Sequence, residues 1–409
     1  MIASPVLVPL ISPTRADTTV AAVSARGTHV RFADGVEATD LTSGLWNVPF
    51  GYGRPEFTSA IAAALAEASY LPLFRRSHPW AERAATALLA VVGDALPHAC
   101  FRRVLLTTSG GSANDAVMKL LRQRAALLGR PDRRVVVGLS GSYHGLTYGA
   151  HALSGDELGQ HLYGVDRSGV RHVAHDDPEA LESLLRREGR RICGIVVEPV
   201  LGSGALPLSA GLLAVLARAS QEGMPVVADE VATGFGRTGP FLASSRWPFA
   251  PDAVVLSKAL TNGALAAAAV VVGERLLAEI DAADAPVIHA ETQAGTPAVC
   301  AAVLQSLALL PELLGAEGFP RVSTGLDCAV SALSTHPRVR GHSGVGSFRA
   351  LRIEGLAGAD EVLSLVEDIR RRGAVVHPAP DGIQFLPAAV TRDRDLANIP
   401  RVISAALDA

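Results

Sequence analysis

The chain has 409 residues, of which 49% are apolar and 19% charged, so it is long enough for two domains around a large core. Its net charge of -3 gives no basic footprint, which argues against nucleic acid as a partner. The longest apolar stretch, Ala264 to Val272, is too short to cross a bilayer and argues against a membrane span.

The cysteines and the N-terminal residues predict a cytoplasmic protein. No basic residues precede the first apolar ones, so a signal peptide is not expected. The cysteines are scattered without a CxxC spacing, which favours buried, reduced thiols. They are Cys100, Cys193, Cys300 and Cys328.

In chain order, residues 1 to about 30 are rich in Pro, Thr and Ala and predict an arm over the rest of the protein. The pair Asp34-Gly35 then predicts a hairpin between two short strands. Residues 57 to 68 have the periodicity of a helix.

A candidate anion site follows at residues 104–128. An apolar run, VLLTT, predicts a strand, SGGSAND predicts a turn, and AVMKLLRQRAALL predicts an amphipathic helix. The helix N-terminus presents unpaired NH groups and the positive end of the helix dipole. Gly110 and Gly111 would allow the main chain to approach an anion closely.

Two further predicted strands end in polar residues. The strand at 134–138 leads to Tyr143 and His144, and the strand at 195–197 leads to Glu198. His144 is either a hydrogen-bonding neighbour of a site or a core residue. The spacing of the histidines that follow does not suggest a metal site.

The most informative stretch runs from Gly223 to Leu260. Two apolar runs there end in Asp229 and in Lys258, and open α/β sheets place ligands at such strand ends. Only two of the 37 basic residues are lysines, Lys119 and Lys258. A lysine kept at a strand end indicates amine chemistry, and thus a Schiff base, although an ordinary strand-capping lysine is the alternative.

The segment ADEVATGFGRTG, with Lys258 in SKAL 29 residues after Asp229, resembles the class III pyridoxal phosphate (PLP) aminotransferases. In that family the lysine holds PLP as an internal aldimine and the aspartate lies against the pyridine nitrogen. The resemblance thus implies Lys258 and Asp229 as catalytic residues. A carboxylate there keeps the ring protonated, so that it can accept the electrons of a carbanion.

The same resemblance implies a phosphate loop and a ring-stacking site. The family's SG(S/T)EANE loop corresponds to residues 109–115, with Gly111 and Ser112 as departures from it; Ser112 could supply a hydrogen bond to the phosphate. Tyr143 would stack on the ring, and Thr292 would reach the phosphate of a neighbouring subunit. The implied cofactor-binding set is Ser109, Gly110, Gly111, Ser112, Tyr143, His144, Glu198, Asp229, Val231, Lys258 and Thr292.

The predicted substrate pocket resembles that of the omega-amine branch. Trp46 and Phe74 would line it, although Trp46 in the core is the alternative. His377 and Gln384 stand where relatives carry an arginine for the substrate carboxylate. Unlike arginine, neither side chain can donate two parallel hydrogen bonds to a carboxylate. The expected acceptor is therefore a ketone or aldehyde without an adjacent carboxylate.

These residues predict a ping-pong transaminase that takes an amino group from a donor amine or amino acid. One alternative is a tailoring enzyme of the daptide kind, acting on a ketone at the C-terminus of a ribosomal peptide. Another is a same-fold aminomutase, decarboxylase or racemase. The expected partners are the small-molecule donor and the carbonyl acceptor, with no nucleic acid or membrane.

The implied fold is the α/β fold type I of PLP-dependent transferases, with a mainly parallel seven-stranded sheet flanked by helices. We expect an N-terminal arm and part of the small domain in residues 1–50, a large PLP-binding domain in 51–295 and a small α+β domain in 296–409. A homodimer with shared active sites follows from the role implied for Thr292.

Overall fold

The structure is a computed structural model that describes residues 5–409. Its strands are β1 Ala22–Arg26, β2 His29–Phe32, β3 Glu37–Asp40, β4 Phe101–Thr107, β5 Val135–Leu139, β6 Val170–Val173, β7 Ile192–Val197, β8 Val200–Leu201, β9 Leu206–Pro207, β10 Val226–Asp229, β11 Ala253–Leu256, β12 Ala268–Gly273, β13 Val339–Val345, β14 Phe348–Ile353, β15 Ala374–Val375, β16 His377–Ala379 and β17 Gly382–Phe385. Its helices are α1 Pro13–Ala16, α2 Ser43–Trp46, α3 Pro55–Glu67, α4 Pro79–Ala95, α5 Gly110–Leu127, α6 Tyr148–Leu153, α7 Pro178–Glu188, α8 Ala210–Gln221, α9 Glu274–Ala282, α10 Pro297–Ala308, α11 Leu310–Leu314, α12 Phe319–Leu333, α13 Ala359–Arg371, α14 Asp393–Ala397 and α15 Ile399–Leu407. Short 3₁₀ turns cover Ala243–Arg246 and Lys258–Thr261.

The large sheet has seven strands in the order β4-β12-β11-β10-β7-β5-β6. Six strands are parallel, and β12 runs antiparallel to its neighbours β11 and β4. The prediction of a mainly parallel seven-stranded sheet is therefore confirmed. The carboxyl ends of β4, β5, β7, β10 and β11 meet at one edge, as parallel strands require.

Both faces of this sheet are covered, which explains the continuous apolar runs of its central strands. On β11, Val254 and Leu256 belong to a core shared with α4 and α10, whereas Ala253 and Val255 belong to a core shared with α5. All four side chains are fully buried. Alternate residues of one strand thus anchor the sheet to two helical layers.

A second, antiparallel sheet has the order β13-β14-β17-β16 and packs with α12, α13 and α15 around a separate core. The N-terminal strands β1, β2 and β3 form a third sheet, in which β3 pairs in parallel with β15. The domain boundaries remain a prediction. Helix α10 shares the core of the large sheet, although the prediction puts it in the small domain.

Local structure differs from expectation in two places. The predicted arm includes β1, which pairs with β2, and its first four residues lie outside the described part of the chain. Helix α5 begins at Gly110, within the predicted turn, because the Ser109 side chain caps it by accepting from the Ser112 NH at 3.1 Å. The predicted hairpin at Asp34-Gly35 is present between β2 and β3.

The prediction of buried thiols is wrong for two of the four cysteines. Cys193 and Cys300 are buried, whereas Cys100 and Cys328 are exposed.

Among residues 5–409, no single helix is long and apolar enough to cross a membrane. One bent pair, Pro297–Ala308 with Leu310–Leu333, would pass by length and composition alone.

Candidate active site

A cavity of about 760 Å³ opens at the carboxyl edge of the large sheet. Its walls come from the residues that follow β4, β5, β10 and β11, together with residues 44–52. Predicted site residues on these walls are Ser109, Gly110, Gly111, Tyr143, His144, Asp229, Val231 and Lys258. The structure therefore gathers most of the predicted cofactor set around one space.

Lys258 begins the turn that follows β11 and has a left-handed backbone, with φ of 46°. Its Nζ lies 4.0 Å from the centre of the Trp46 ring. Burial lowers the pKa of Lys258 to about 7, assisted by the positive charge of Arg237 and opposed by Glu198 and Asp229. A substantial fraction of this amine is therefore neutral near pH 7 and able to accept a proton.

Asp229 ends β10 and is held by three donors. Its Oδ2 accepts from Asn114 Nδ2 and lies 2.7 Å from His144 Nδ1, and its Oδ1 accepts from the Val231 NH at 3.1 Å. The side chain of Asp229 is 2% exposed. Three hydrogen bonds fix the orientation of this carboxylate toward the cavity that it lines.

His144 is both a core residue and a hydrogen-bonding neighbour of the site. Its side chain is fully buried against Asp229. Burial alone would lower the pKa of His144, but the hydrogen bond and charge of Asp229 outweigh it and raise that pKa. The hydrogen bond to Asp229 therefore favours the protonated form of the imidazole.

Glu198 supports the site from behind Tyr143 without lining the cavity. Its Oε2 accepts from the Tyr143 NH at 3.0 Å, and its Oε1 accepts from the Gly202 NH at 3.1 Å. Burial raises the pKa of Glu198 to about 7, while the charge of His144 opposes the rise. These two bonds set the path of the backbone that presents Tyr143, whose side chain is 39% exposed.

The candidate phosphate loop is packed closely on the turn after Tyr143. A Cβ added at Gly145, where φ is 120°, would lie 2.4 Å from the Gly111 Cα. A Cβ at Gly110 would meet the Val231 methyls at 3.3 Å. Glycine at these positions lets the helix N-terminus, the loop and Val231 converge, and the first amides of α5 have no partner within the helix.

Ser112 is buried in the first turn of α5 and does not line the cavity. Its hydroxyl donates to Glu291 Oε2 at 2.8 Å. A hydroxyl has one proton to donate, so the predicted hydrogen bond from Ser112 to phosphate would have to displace this contact.

Trp46 is positioned by a strained turn. Residues 43–46 all have positive φ, between 45° and 71°, which costs energy for residues other than glycine. The Asp40 carboxylate holds the turn by accepting from the Thr42 NH at 2.7 Å and from the Gly44 NH at 2.6 Å, and Arg237 donates to the Trp46 carbonyl. The turn places the Trp46 ring against Lys258.

The remaining pocket residues lie on the hairpin formed by β16 and β17, where His377 pairs with Gln384. The His377 ring packs edge-on against Trp46, with centroids 5.5 Å apart. Burial and the charge of Lys258 lower the pKa of His377 to about 4, so it is neutral at pH 7. The Gln384 Oε1 accepts from the Gly204 NH at 3.1 Å.

Seven predicted site residues do not line the cavity in the single chain: Trp46, Phe74, Ser112, Glu198, Thr292, His377 and Gln384. Phe74 is 48% exposed, and Thr292 is also exposed, with its carbonyl accepting from the Tyr70 hydroxyl. Their predicted roles remain predictions.

Sequence reasoning missed three residues. Asn114 holds Asp229, and the asparagine of the loop pattern was the available signal. Arg237, in GFGRTG, is 1% exposed and directs its terminal nitrogens at three backbone carbonyls. Glu291 contacts the phosphate loop from a segment 183 residues away, and no local pattern marked it.

The sequence profile of the family described as aminotransferase class-III matches residues 11–407. An acetylornithine aminotransferase of Xylella fastidiosa is 30% identical, with 93% of this chain and 90% of the relative covered. An omega-aminotransferase of Caulobacter vibrioides is 28% identical over 93% of this chain and 92% of the relative.

Solved structures show the same fold. The PMP-bound form of an aminotransferase from Vibrio fluvialis matches with a TM-score of 0.89 and 24% identity, covering 99% of this chain and 96% of that one. A thermostable (S)-enantioselective omega-transaminase from Thermomicrobium roseum also has a TM-score of 0.89, with 25% identity and coverage of 98% and 95%.

Proposed function

Because the chain belongs to the class III aminotransferase family, we propose that it is a PLP-dependent transaminase that works in ping-pong order through Lys258. It moves an amino group from a donor amine or amino acid to a ketone or aldehyde without an adjacent carboxylate. The observation that carries the proposal is the grouping of Lys258, Asp229 and the N-terminus of α5 around one cavity.

The residues around the cavity fit what PLP requires of a protein. The cofactor needs an amine for its aldehyde, a carboxylate for its pyridine nitrogen and NH donors for its phosphate. Lys258, Asp229 and the loop of Gly110 and Gly111 supply these groups on the walls of the same cavity. When bound, PLP supplies an electron sink that stabilises negative charge on the substrate carbon next to nitrogen.

Lys258 can serve as the proton carrier. A general base works best when its pKa is near the working pH, and burial brings that of Lys258 to about 7. Its Nζ would then accept the proton that leaves the substrate carbon and hold it for return.

Asp229 would stabilise positive charge on the ring nitrogen of the cofactor. Oδ2 is occupied by Asn114 and His144, while Oδ1 accepts a single backbone NH and keeps a lone pair. The fixed carboxylate favours a proton on the pyridine nitrogen, which the electron sink requires.

The pocket chemistry supports an acceptor without a carboxylate next to its carbonyl. His377 is neutral at pH 7, and Gln384 is hydrogen-bonded to Gly204. The buried guanidinium of Arg237 is engaged by backbone carbonyls, so it does not offer a free fork. These side chains favour polar but uncharged groups beside Trp46.

We also propose a homodimer with shared sites, supported by the exposure of Thr292 and of the cavity residue Leu146. Cytoplasmic location and an acceptor carried by a peptide remain predictions from the sequence.

The proposed donor preference can be tested by loading the protein with PLP and titrating amines, including alanine and glutamate. Loss of the visible absorbance of the bound cofactor identifies a donor directly. We expect simple amines to discharge this absorbance more effectively than glutamate. An equal response to glutamate would contradict the interpretation of His377 and Gln384.

A further inference from the structure

Residues 286–291, which precede α10, form hydrogen bonds along one face of α5. Gln123 Nε2 donates to the Pro286 carbonyl at 2.9 Å, and Lys119 Nζ donates to the Ile288 carbonyl at 3.2 Å. Ser112 makes the third set of contacts, with His289 and Glu291. Residues 112, 119 and 123 are spaced by seven and four, so they lie on one face of the helix.

These hydrogen bonds place the Glu291 carboxylate beside the N-terminal end of α5. Glu291 Oε2 accepts from the Thr108 NH at 2.9 Å and from the Ser112 hydroxyl at 2.8 Å. Glu291 Oε1 accepts from the Thr108 hydroxyl. One carboxylate therefore binds the residues on both sides of Ser109, Gly110 and Gly111.

We propose, resting on the function proposed above, that Glu291 is a positioning residue that fixes the shape of the phosphate loop. Gly110 and Gly111 are glycines, the residue type with the greatest backbone freedom, so ordering them has a large entropic cost. Holding Thr108 and Ser112 in place removes much of that freedom before the cofactor arrives. The loop is then preorganised for an anion, which improves affinity by lowering the cost of binding.

The carboxylate is in the state that this role requires. Burial alone would raise the pKa of Glu291, but the hydrogen bonds from Thr108 and Ser112 and the charge of His289 hold it below its ordinary value. Because the Ser112 proton goes to Glu291, the hydrogen bond at 3.0 Å between Ser112 Oγ and His289 Nε2 requires the proton to be on His289 Nε2.

The departure at Ser112 agrees with this assignment. The phosphate-loop pattern of the class III aminotransferases has a glutamate at this position, whereas this chain has the shorter serine side chain. A carboxylate is still present beside the loop, but it belongs to Glu291, in the segment before α10. The charge of Glu291 also repels a phosphate, so geometric support and repulsion have opposite effects on affinity.

The test compares PLP with pyridoxal, which lacks the phosphate, as ligands of the cofactor-free protein. Visible absorbance titration gives both affinities for the wild type, Glu291→Ala, Glu291→Gln and Ser112→Ala. Gln123→Ala is the matched control, because it removes the hydrogen bond to the Pro286 carbonyl, which is remote from the phosphate loop. Thermal unfolding confirms that each variant is folded.

We expect Glu291→Ala to weaken PLP binding about tenfold while pyridoxal binding changes less than about twofold, because the loop loses the hydrogen bonds that preorganise it for the phosphate. Ser112→Ala should act in the same direction, Glu291→Gln should lie between, and Gln123→Ala should leave both affinities unchanged. In the cofactor-free protein, the amides of residues 108–112 should exchange hydrogen faster in Glu291→Ala.

Unchanged or tighter PLP binding by Glu291→Ala would overturn the proposal, because repulsion would then dominate. Equal losses for PLP and pyridoxal would also overturn it, since the effect would not depend on the phosphate. A wild type that gives no visible band with PLP would instead refute the proposed function, so the two failures are distinguishable.

Discussion

His144 and Asp229 form a buried pair in which His144 Nδ1 lies 2.7 Å from Asp229 Oδ2. The pair links the loop after β5 to the end of β10, at the centre of the candidate site. It joins a cation-forming group to the carboxylate that would hold the cofactor ring. The pH dependence of stability should report on this pair.

We expect the stability difference between the wild type and His144→Asn to shrink as the pH rises. The pKa of His144 is raised in the folded protein, so its stabilisation is complete below the ordinary value of about 6.5 and is lost as the pH passes through the raised pKa. At low pH the difference should be about 1.5–3 kcal/mol. Thermal unfolding of the cofactor-free proteins across this range measures it; a difference that grows with pH would contradict the pairing.

The two lysines allow a direct measurement of the Lys258 amine. Reductive methylation with ¹³C-formaldehyde should give NMR signals from Lys258, from the exposed Lys119 and from the α-amine of the chain, and Lys258→Ala assigns the first of these. We expect the Lys258 signal to titrate near pH 7, because burial disfavours the ammonium form. Titration of Lys258 near 10, as for a lysine in water, would remove the basis for its role as a base.

Gln384 stands where the family resemblance implies a carboxylate-binding arginine, so a guanidinium can be introduced there as a test. Gln384→Arg should raise the kcat/KM ratio of glutamate to alanine by about tenfold, since a hydrogen bond to a charged group contributes about 1.5–3 kcal/mol. Gln384→Met serves as the control, because it loses the bond to Gly204 without adding charge. A ratio that shifts equally in both variants would show that this position does not govern carboxylate recognition.

Gly145→Ala should weaken PLP binding and lower the melting temperature. The new Cβ would lie 2.4 Å from the Gly111 Cα, so the phosphate loop must move. Gly164→Ala is a suitable control, because Gly164 also has a positive φ, of 61°, but has open space around it. The Gly164→Ala variant should lose only about 1–2 kcal/mol of folding stability, from backbone strain. Equal effects of the two substitutions on PLP affinity would contradict the close packing of the loop.

The sequence predicted the features that depend on local patterns. The run at 253–256 is a strand because continuous apolar residues suit a sheet covered on both faces, and its end places Lys258 in the site. Tyr143 and Asp229 follow from the same rule for strand ends. Adjacent residues and their spacing were sufficient for these features.

Contacts between distant segments were not predictable in this way. Glu291 contacts Thr108 across 183 residues of chain, through a segment that also bonds to α5 at Lys119. The left-handed turn before Trp46 depends on Asp40 and Arg237, and nothing in the local sequence requires positive φ at leucine or tryptophan. For His144 the local pattern left two roles open, and the fold showed that both apply.

The central claim is that Lys258 forms the covalent link to PLP. Absorbance spectra of the wild type and of Lys258→Ala, each loaded with PLP and then desalted, test it most directly. We expect the wild type to keep a visible band that disappears when a donor amine is added, and Lys258→Ala to lack both the band and turnover. A colourless wild type, or a Lys258→Ala variant that retains band and turnover, would contradict the claim.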